Sequence, residues 1–203
     1  GKSTVSELLV QRGATLIVAD AITRELQAPG RPVLAAIVER FGDGVLAEDG
    51  SLDRKALADL VFPDPEALAA LNAIVHPEVG REIAERLEAA RAGGGIVVLD
   101  IPLLVESGRD DLAATVVVDV EPTVAVERLV QHRGIDREDA LARQSRQASR
   151  EERLARADWV VENDGDLVDL AAEVDKLWSW LEDLARSSSS DGPGGSDRLD
   201  GSA

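Results

Sequence analysis

Four short apolar runs, separated by helical sequence, constrain the fold of this chain more than any other feature. The runs are Thr15–Asp20, Ile96–Ile101, Thr115–Val120 and Asp158–Glu162. Runs of this length, rich in β-branched residues, are typical of strands that are buried on both faces. Strands that alternate with helices form a parallel α/β sheet whose ligands bind beyond the carboxyl ends of the strands. We therefore predict this fold class and expect functional side chains at those strand ends.

Helical periodicity and capping residues fill the segments between the strands. We expect helices over Val5–Arg12, Pro32–Phe41, Arg54–Val61, Thr123–His132, Asp136–Arg156 and Asp166–Arg186. A further helix starts at Asp64-Pro65, and we expect Pro77 to interrupt it before a second segment runs to about Arg91. Residues 187–203 are almost all Ser, Gly and Asp, so we predict a disordered tail.

Composition excludes several classes of protein. The net charge of −17 argues against a general nucleic-acid binder, which needs a basic surface. There is no cysteine, so a disulfide scaffold, a thiol nucleophile and a cysteine metal site are excluded. No apolar run reaches the roughly 20 residues that cross a membrane, and no signal peptide is visible. We expect a cytoplasmic protein that acts on a small molecule and binds neither nucleic acid nor membrane.

The chain begins Gly1-Lys2-Ser3-Thr4, which looks like the second half of a phosphate-binding P-loop. In that interpretation Lys2 faces the β- and γ-phosphates of a nucleotide and the Ser3 hydroxyl binds Mg²⁺. The alternative is a polar helix start with Ser3 or Thr4 as its N-cap. A strand and a glycine-rich turn normally precede this point, so we expect them to be missing and the chain as written to bind ATP weakly.

Arginines accumulate in one part of this acidic chain. Residues 128–156 hold eight arginines against five acidic residues. The alternative to an anion-binding role is a solvated helical surface, since the chain uses 19 arginines and only three lysines as its bases.

Several segments, in order along residues 1 to about 185, resemble the dephospho-CoA kinases. They are Val18–Arg24, Gly50–Asp53, Phe62, Leu71–Pro77, Pro102–Glu106, Gln131–Arg133, Gln147–Arg153 and Ala157–Gly165. Two positions depart from the family pattern: Val18 stands where the family has Asp, and Thr23 where it has Ala. No single segment is specific, but the set, preceded by Gly1–Thr4, is very specific.

The resemblance implies an ATP- and Mg²⁺-dependent kinase that phosphorylates the 3′-hydroxyl of dephospho-CoA, the last step of coenzyme A synthesis. It implies an α/β P-loop NTPase fold, a three-layer parallel sheet whose first strand is absent from this chain. The kinase domain would cover residues 1–186, with a helical lid over about 133–156 and helices that receive the acceptor over about 30–91.

The resemblance also implies residue roles on the nucleotide side. Gly1, Lys2, Ser3 and Thr4 would bind ATP, with Lys2 catalytic and Ser3 on the metal. Arg128, also catalytic, and Arg133 would reach the phosphates when the lid closes, because a planar guanidinium suits phosphate. Among the remaining lid arginines, Arg153 is the best candidate for a contact with phosphate. We expect the others, Arg143, Arg146 and Arg150, to be solvated. Asn163 would contact adenine.

On the acceptor side, Asp20 would accept the proton of the hydroxyl or orient it, or else cap the helix that follows. Arg24 would pair with acceptor phosphate or with Asp20. Asp100 is a weaker candidate for holding Mg²⁺ through water. His76 either contacts dephospho-CoA or satisfies backbone groups freed by Pro77. Further acceptor contacts would come from Arg81, Pro102, Leu103 and Leu104.

Three alternatives compete with this interpretation, and the sequence argues against one of them. One is another P-loop kinase of a small molecule such as shikimate, gluconate or a nucleoside monophosphate. A GTPase-like switch would need an Asn-Lys-x-Asp motif, and neither Lys55 nor Lys176 follows an Asn. The third is a poorly active fragment.

Overall fold

The computed structural model describes residues 1–133, 136–138 and 148–190. The chain divides into two compact units. The middle unit is Thr15–Pro102, and the terminal unit joins residues 1–14 to the part of the chain from Leu103 onward. The predicted lid, about 133–156, includes residues 134–135 and 139–147, which lie outside the described residues, as do residues 191–203 of the predicted tail.

The described elements are helices and four strands, with one or more helices between successive strands. In chain order they are α1 (Lys2–Gln11), β1 (Thr15–Val18), α2 (Ala19–Leu26), α3 (Pro32–Phe41), a 3₁₀ turn (Asp43–Val45), α4 (Arg54–Val61), α5 (Pro65–Gly93), β2 (Val97–Asp100), α6 (Leu104–Ser107), β3 (Val116–Asp119), α7 (Pro122–Arg133), α8 (Arg150–Ala155), β4 (Trp159–Glu162) and α9 (Leu167–Ser190). No helix of the described residues combines the length and hydrophobicity that a membrane crossing needs.

The four predicted strands are all present, and they pair in parallel. In the middle unit β1 pairs with β2, with Val18 opposite Asp100. In the terminal unit β3 pairs with β4, with Asp119 opposite Glu162. The hydrogen-bonded ladders are thus two separate pairs, one in each unit.

The first strand is shorter than predicted, which corrects the position of Asp20. Strand β1 ends at Val18, and α2 begins at Ala19 without an intervening turn, so Asp20 lies in the first helical turn. The segment has no Gly or Pro to separate the two elements. A carboxylate in the first turn is also favoured by the helix dipole.

The prediction that Pro77 interrupts its helix is wrong. Helix α5 is continuous over 29 residues with Pro77 inside it. Proline removes one backbone hydrogen bond, but packing on both sides of it holds the helix together. Val75 lies in the core of the helical region, and Ile83 lies in a second core cluster with Ile17 and Ile22.

The helical region of the middle unit has its own core. Carboxylates of Asp53 and Asp64 cap α4 and α5 by accepting hydrogen bonds from amides of the first turn. The buried side chains are Val33, Leu34, Ile37, Val45, Leu52, Leu57, Val61, Ala67 and Val75.

The terminal unit is built on α9. Its residues Leu170, Val174 and Leu177 are buried and lie on one face of the helix. Leu167, at the start of the helix, is 70% exposed. The helix also runs to Ser190 rather than to Arg186. Trp180 stacks on Trp159 of β4 with ring centroids 5.2 Å apart, which fixes the helix on the strand pair.

Candidate active site

Helix α1 begins directly at the predicted phosphate-binding residues. The first helical residue is Lys2, three residues before the predicted start, and the Gly1 carbonyl accepts a hydrogen bond from the Val5 amide at 3.0 Å. Ser3 and Thr4 therefore lie within the first turn, and neither is the N-cap. Gly1 is the N-cap and supplies no side chain to the helix end. A helix start of this kind favours anions, since its amides and dipole carry positive charge.

Gly1 lies against the loop that follows β4. A Cβ atom at Gly1 would overlap the Asn163 side-chain amide, with Cγ at 2.9 Å. Asn163 is 6% exposed, and its backbone amide donates to the Asp119 carbonyl at 2.9 Å. Only glycine fits this close approach. The contact of Asn163 with adenine stays a prediction; in the structure its side chain lies against Gly1.

Arg128 of α7 holds the same loop. Its Nη1 donates to the Asn163 carbonyl at 2.6 Å, and Nη2 donates to the carbonyls of Asp164 and Gly165 at 3.4 and 3.0 Å. The predicted contact of this guanidinium with ATP phosphates is not tested by these bonds. They give it a local role, which is to gather three successive carbonyls. Arg133 ends α7, and its side chain lies outside what the structure describes.

The loop is braced from its other side as well. Asp164 accepts a hydrogen bond from the Glu121 amide at 3.0 Å. Asp166 accepts bonds from the amides of Asp169 and Val168, and these bonds, that of Asp169 contributing most, lower the pKa of the Asp166 carboxyl. A Cβ at Gly165 would overlap the Asp169 side chain, with its Cβ at 2.8 Å. These hydrogen bonds and the close approach at Gly165 hold the loop from Asn163 to Asp166 in place.

Arg150 forms contacts that the sequence did not predict. We expected it to be solvated, but its Nη2 and Nε donate to Asp119 at 2.6 and 2.9 Å, and Nη1 donates to Glu121 at 3.0 Å. Asp119 is buried at the carboxyl end of β3. Its hydrogen bond raises the pKa of the Arg150 guanidinium. The available signal was Asp119 itself, an acidic residue at a strand end that needs a partner. Arg153, the favoured lid arginine, donates to the Ala148 carbonyl at 2.6 Å.

The carboxylates predicted for the acceptor side lie in the middle unit. Asp100 ends β2 as predicted and is 7% exposed. Asp20 follows the end of the paired strand by two residues and is exposed, as is Arg24 one turn later on α2. The described residues contain no cluster of three or more acidic or histidine side chains for a metal.

His76 and Arg81, two further residues predicted for the acceptor side, are exposed, and Arg81 forms ion pairs within its own helix. His76 lies within the continuous helix α5 beside Pro77, and both of its possible roles, a contact with dephospho-CoA and a bond to backbone groups freed by Pro77, stay predictions. Arg81 donates to Glu78 at 3.1 Å and Glu85 at 2.6 Å, and these bonds, the one with Glu78 first, raise its pKa.

The loop segment predicted to contact the acceptor spans two elements of local structure. Pro102 and Leu103 are exposed, and Leu104 begins the short helix α6. Their role stays a prediction.

A cavity of about 550 Å³ lies in the helical region of the middle unit. Its lining is mostly apolar, with one arginine and one glutamate; it consists of Gly30, Arg31, Pro32, Leu34, Ala35, Val38, Glu39, Leu46 and Gly50. The cavity falls inside the range predicted to receive the acceptor and offers surface to an uncharged part of a ligand.

Comparisons with known proteins agree with the predicted family. The family model described as dephospho-CoA kinase matches residues 1–169. A dephospho-CoA kinase of Streptomyces avermitilis is 53% identical over 182 residues, 89% of this chain and 88% of that protein.

Two solved structures have folds similar to that of this chain. A crystal structure of a Thermus thermophilus protein has a TM-score of 0.76 at 39% identity and covers 89% of this chain and 92% of its own. The dephospho-CoA kinase of Campylobacter jejuni has a TM-score of 0.60 at 25% identity, with 89% and 91% covered.

Proposed function

This chain belongs to the dephospho-CoA kinase family and has its P-loop NTPase fold, and we propose that it transfers the γ-phosphoryl group of ATP to the 3′-hydroxyl of dephospho-CoA. The products would be coenzyme A and ADP. The observation that carries this proposal is the family match across residues 1–169, which includes both the phosphate-binding start and the acceptor segments. Catalysis of this kind depends on positioning and on charge neutralisation rather than on covalent chemistry.

The nucleotide would bind at the start of α1. The Lys2 ammonium and the amides of the first turn neutralise the β- and γ-phosphates, and Gly1 allows the backbone to come close. The Ser3 hydroxyl, exposed in that turn, is the protein group that would hold Mg²⁺. When bound, the ion would neutralise negative charge on the phosphates of ATP. Thr4 continues the same turn.

Asp20 would orient the acceptor hydroxyl and accept its proton. Its exposed position in the first turn of α2 leaves the carboxylate accessible to a substrate. Arg24, one turn further, would pair with acceptor phosphate. Asp100 would support the metal through water, and His76, Arg81 and the segment Pro102–Leu104 would line the acceptor's path.

Arg128 and Asn163 would shape the place for the nucleoside. The three carbonyl contacts of Arg128 support a role in holding the loop in addition to any phosphate contact. We infer that Arg133 and the lid complete the phosphate contacts and exclude water, which otherwise competes as acceptor. We place the protein in the cytoplasm.

A rate assay with alternative acceptors tests the proposal. ADP release is measured with dephospho-CoA, shikimate, gluconate and a nucleoside monophosphate, each with MgATP. We expect turnover with dephospho-CoA, and we expect Asp20→Asn to lower kcat by about 10²- to 10⁴-fold. The control Asp59→Asn alters a carboxylate that is exposed and paired with Lys55, and it should keep the wild-type rate. Turnover of another acceptor with dephospho-CoA untouched would disprove the assignment.

A further inference from the structure

Gln27 is a buried polar side chain with one partner, an arginine. The residue is 6% exposed and follows the last turn of α2. Its Oε1 accepts a hydrogen bond from Arg54 Nη1 at 2.6 Å. Arg54 is the first residue of α4, whose start is fixed by the Asp53 cap. Two elements of the middle unit therefore hold this guanidinium in one orientation, although Arg54 itself is exposed.

Arg54 has no carboxylate partner in the middle unit, unlike the arginines of α5. Arg81, Arg86 and Arg91 on α5 all form ion pairs with glutamates. The middle unit is described along its whole length, and Arg54 forms no ion pair within it. Its fixed partner is a neutral amide, which orients the guanidinium and leaves its positive charge available. In a chain of net charge −17, acidic partners are abundant. An arginine whose fixed partner is nevertheless a neutral amide points to an external anion.

Helix α2 connects Arg54 to the proposed reaction centre. Asp20, Arg24 and Gln27 are spaced four and three residues apart, so they follow one side of the helix. At a rise of about 1.5 Å per residue, Gln27 lies about 10 Å along the helix axis from Asp20. Arg24 stands between them and is exposed.

We propose that Arg54, oriented by Gln27, binds the pyrophosphate group of the acceptor together with Arg24. This inference rests on the proposed function, because it takes the acceptor to be dephospho-CoA. That molecule carries its reacting 3′-hydroxyl and its 5′-pyrophosphate on opposite sides of one ribose. With the hydroxyl at Asp20, the pyrophosphate extends along α2 toward the two arginines. Gln27 uses one of the five N–H donors of Arg54, and the others suit bidentate contact with phosphate oxygens.

Calorimetric titration with three ligands tests the site. Dephospho-CoA carries the pyrophosphate, adenosine has the nucleoside without it, and ADP probes the phosphate site at α1. We expect Arg54→Gln to raise the Kd of dephospho-CoA about 10- to 100-fold. The Kd values of adenosine and ADP should stay unchanged. Arg91→Gln is the matched control, because it removes the same charge from an exposed site at the far end of α5.

A second variant tests the orienting role of Gln27. Gln27→Glu keeps the size of the side chain and its acceptor oxygen but supplies a charge that neutralises Arg54. We expect it to weaken dephospho-CoA binding while adenosine binding and the melting temperature stay close to wild type. Equal losses for adenosine and dephospho-CoA would show a structural role only, and a loss for ADP alone would place the phosphate in the nucleotide site; either result overturns the proposal.

The two proposals can fail separately. If the wild-type protein turns over dephospho-CoA and Arg54→Gln behaves like Arg91→Gln, the phosphate site is disproved and the proposed function stands. If the wild type binds dephospho-CoA in an Arg54-dependent manner but does not phosphorylate it, the phosphate site stands and the proposed function fails.

Discussion

Replacing Arg128 with glutamine separates two roles for this residue, a brace for the loop after β4 and a ligand for ATP phosphates. In the structure its guanidinium donates to three carbonyls. A brace contributes to stability before ATP binds, whereas a phosphate ligand contributes only afterwards. The melting temperature of the ligand-free protein therefore distinguishes the two roles.

The size of the effect follows from the three bonds. The bond to the Asn163 carbonyl is 2.6 Å long and partly buried, and a hydrogen bond to a charged group of this kind contributes about 1.5–3 kcal/mol. The bonds to Asp164 and Gly165 are exposed, so water replaces them at little cost. We expect Arg128→Gln to destabilise the protein by about 2 kcal/mol. For a chain of this length that corresponds to a fall in Tm of roughly 4–8 °C.

Thermal unfolding followed by circular dichroism without nucleotide is the assay, with ADP affinity measured by calorimetry on the same samples. Arg186→Gln is the control, since Arg186 is exposed near the end of α9 and pairs only with Asp183 of its own helix among the described residues. Its Tm should match the wild type. An unchanged Tm for Arg128→Gln, combined with a large loss of ADP affinity, would refute the bracing role.

Three further substitutions test local interactions near the sites. Asp53→Ala removes the cap of α4 and should cost about 1 kcal/mol in the free energy of unfolding, measured with urea; a loss near zero would contradict the capping geometry. Gly165→Ala should lower Tm and ADP affinity together, because the added methyl group meets Asp169; wild-type values for both would show that the loop can yield. The pKa of Asp166 is lowered in the folded state, so its contribution is complete above the unfolded value of about 3.9 and is lost as the pH falls through the folded value. Tm measured from pH 5 to pH 2.5 should therefore fall less steeply for Asp166→Asn than for wild type, and parallel curves would exclude this contribution.

The strands and caps were predictable because their causes are local. Each strand is a short run of β-branched residues, and the carboxylate of Asp53 reaches amides only two and three residues away. Such features depend on neighbours in sequence, so the sequence contains the information needed to find them.

The errors in element boundaries have a tertiary cause. Propensity favours a break at Pro77, but Val75 and Ile83 are buried in separate clusters on its two sides, and this packing outweighs one missing hydrogen bond. The strand–helix junction at Val18 and Ala19 has no turn residue, so nothing in the local pattern marks where β1 ends. For this reason Asp20 was predicted at the end of a strand but lies in the first turn of α2. It remains a candidate for the acceptor site.

The arginines show most clearly where sequence reasoning stops. Arg81 has glutamates three residues before it and four after it, so its pairing could have been read from helical spacing. The partner of Arg150 is 31 residues away, and that of Arg54 is 27 residues away, so only the fold brings them together. These two distant partners also differ in kind: a buried carboxylate neutralises Arg150, while a buried amide leaves Arg54 charged. An arginine in such a kinase is therefore a candidate for phosphate only after its partner is known, and by this criterion Arg54 is a stronger candidate than Arg81 or Arg150.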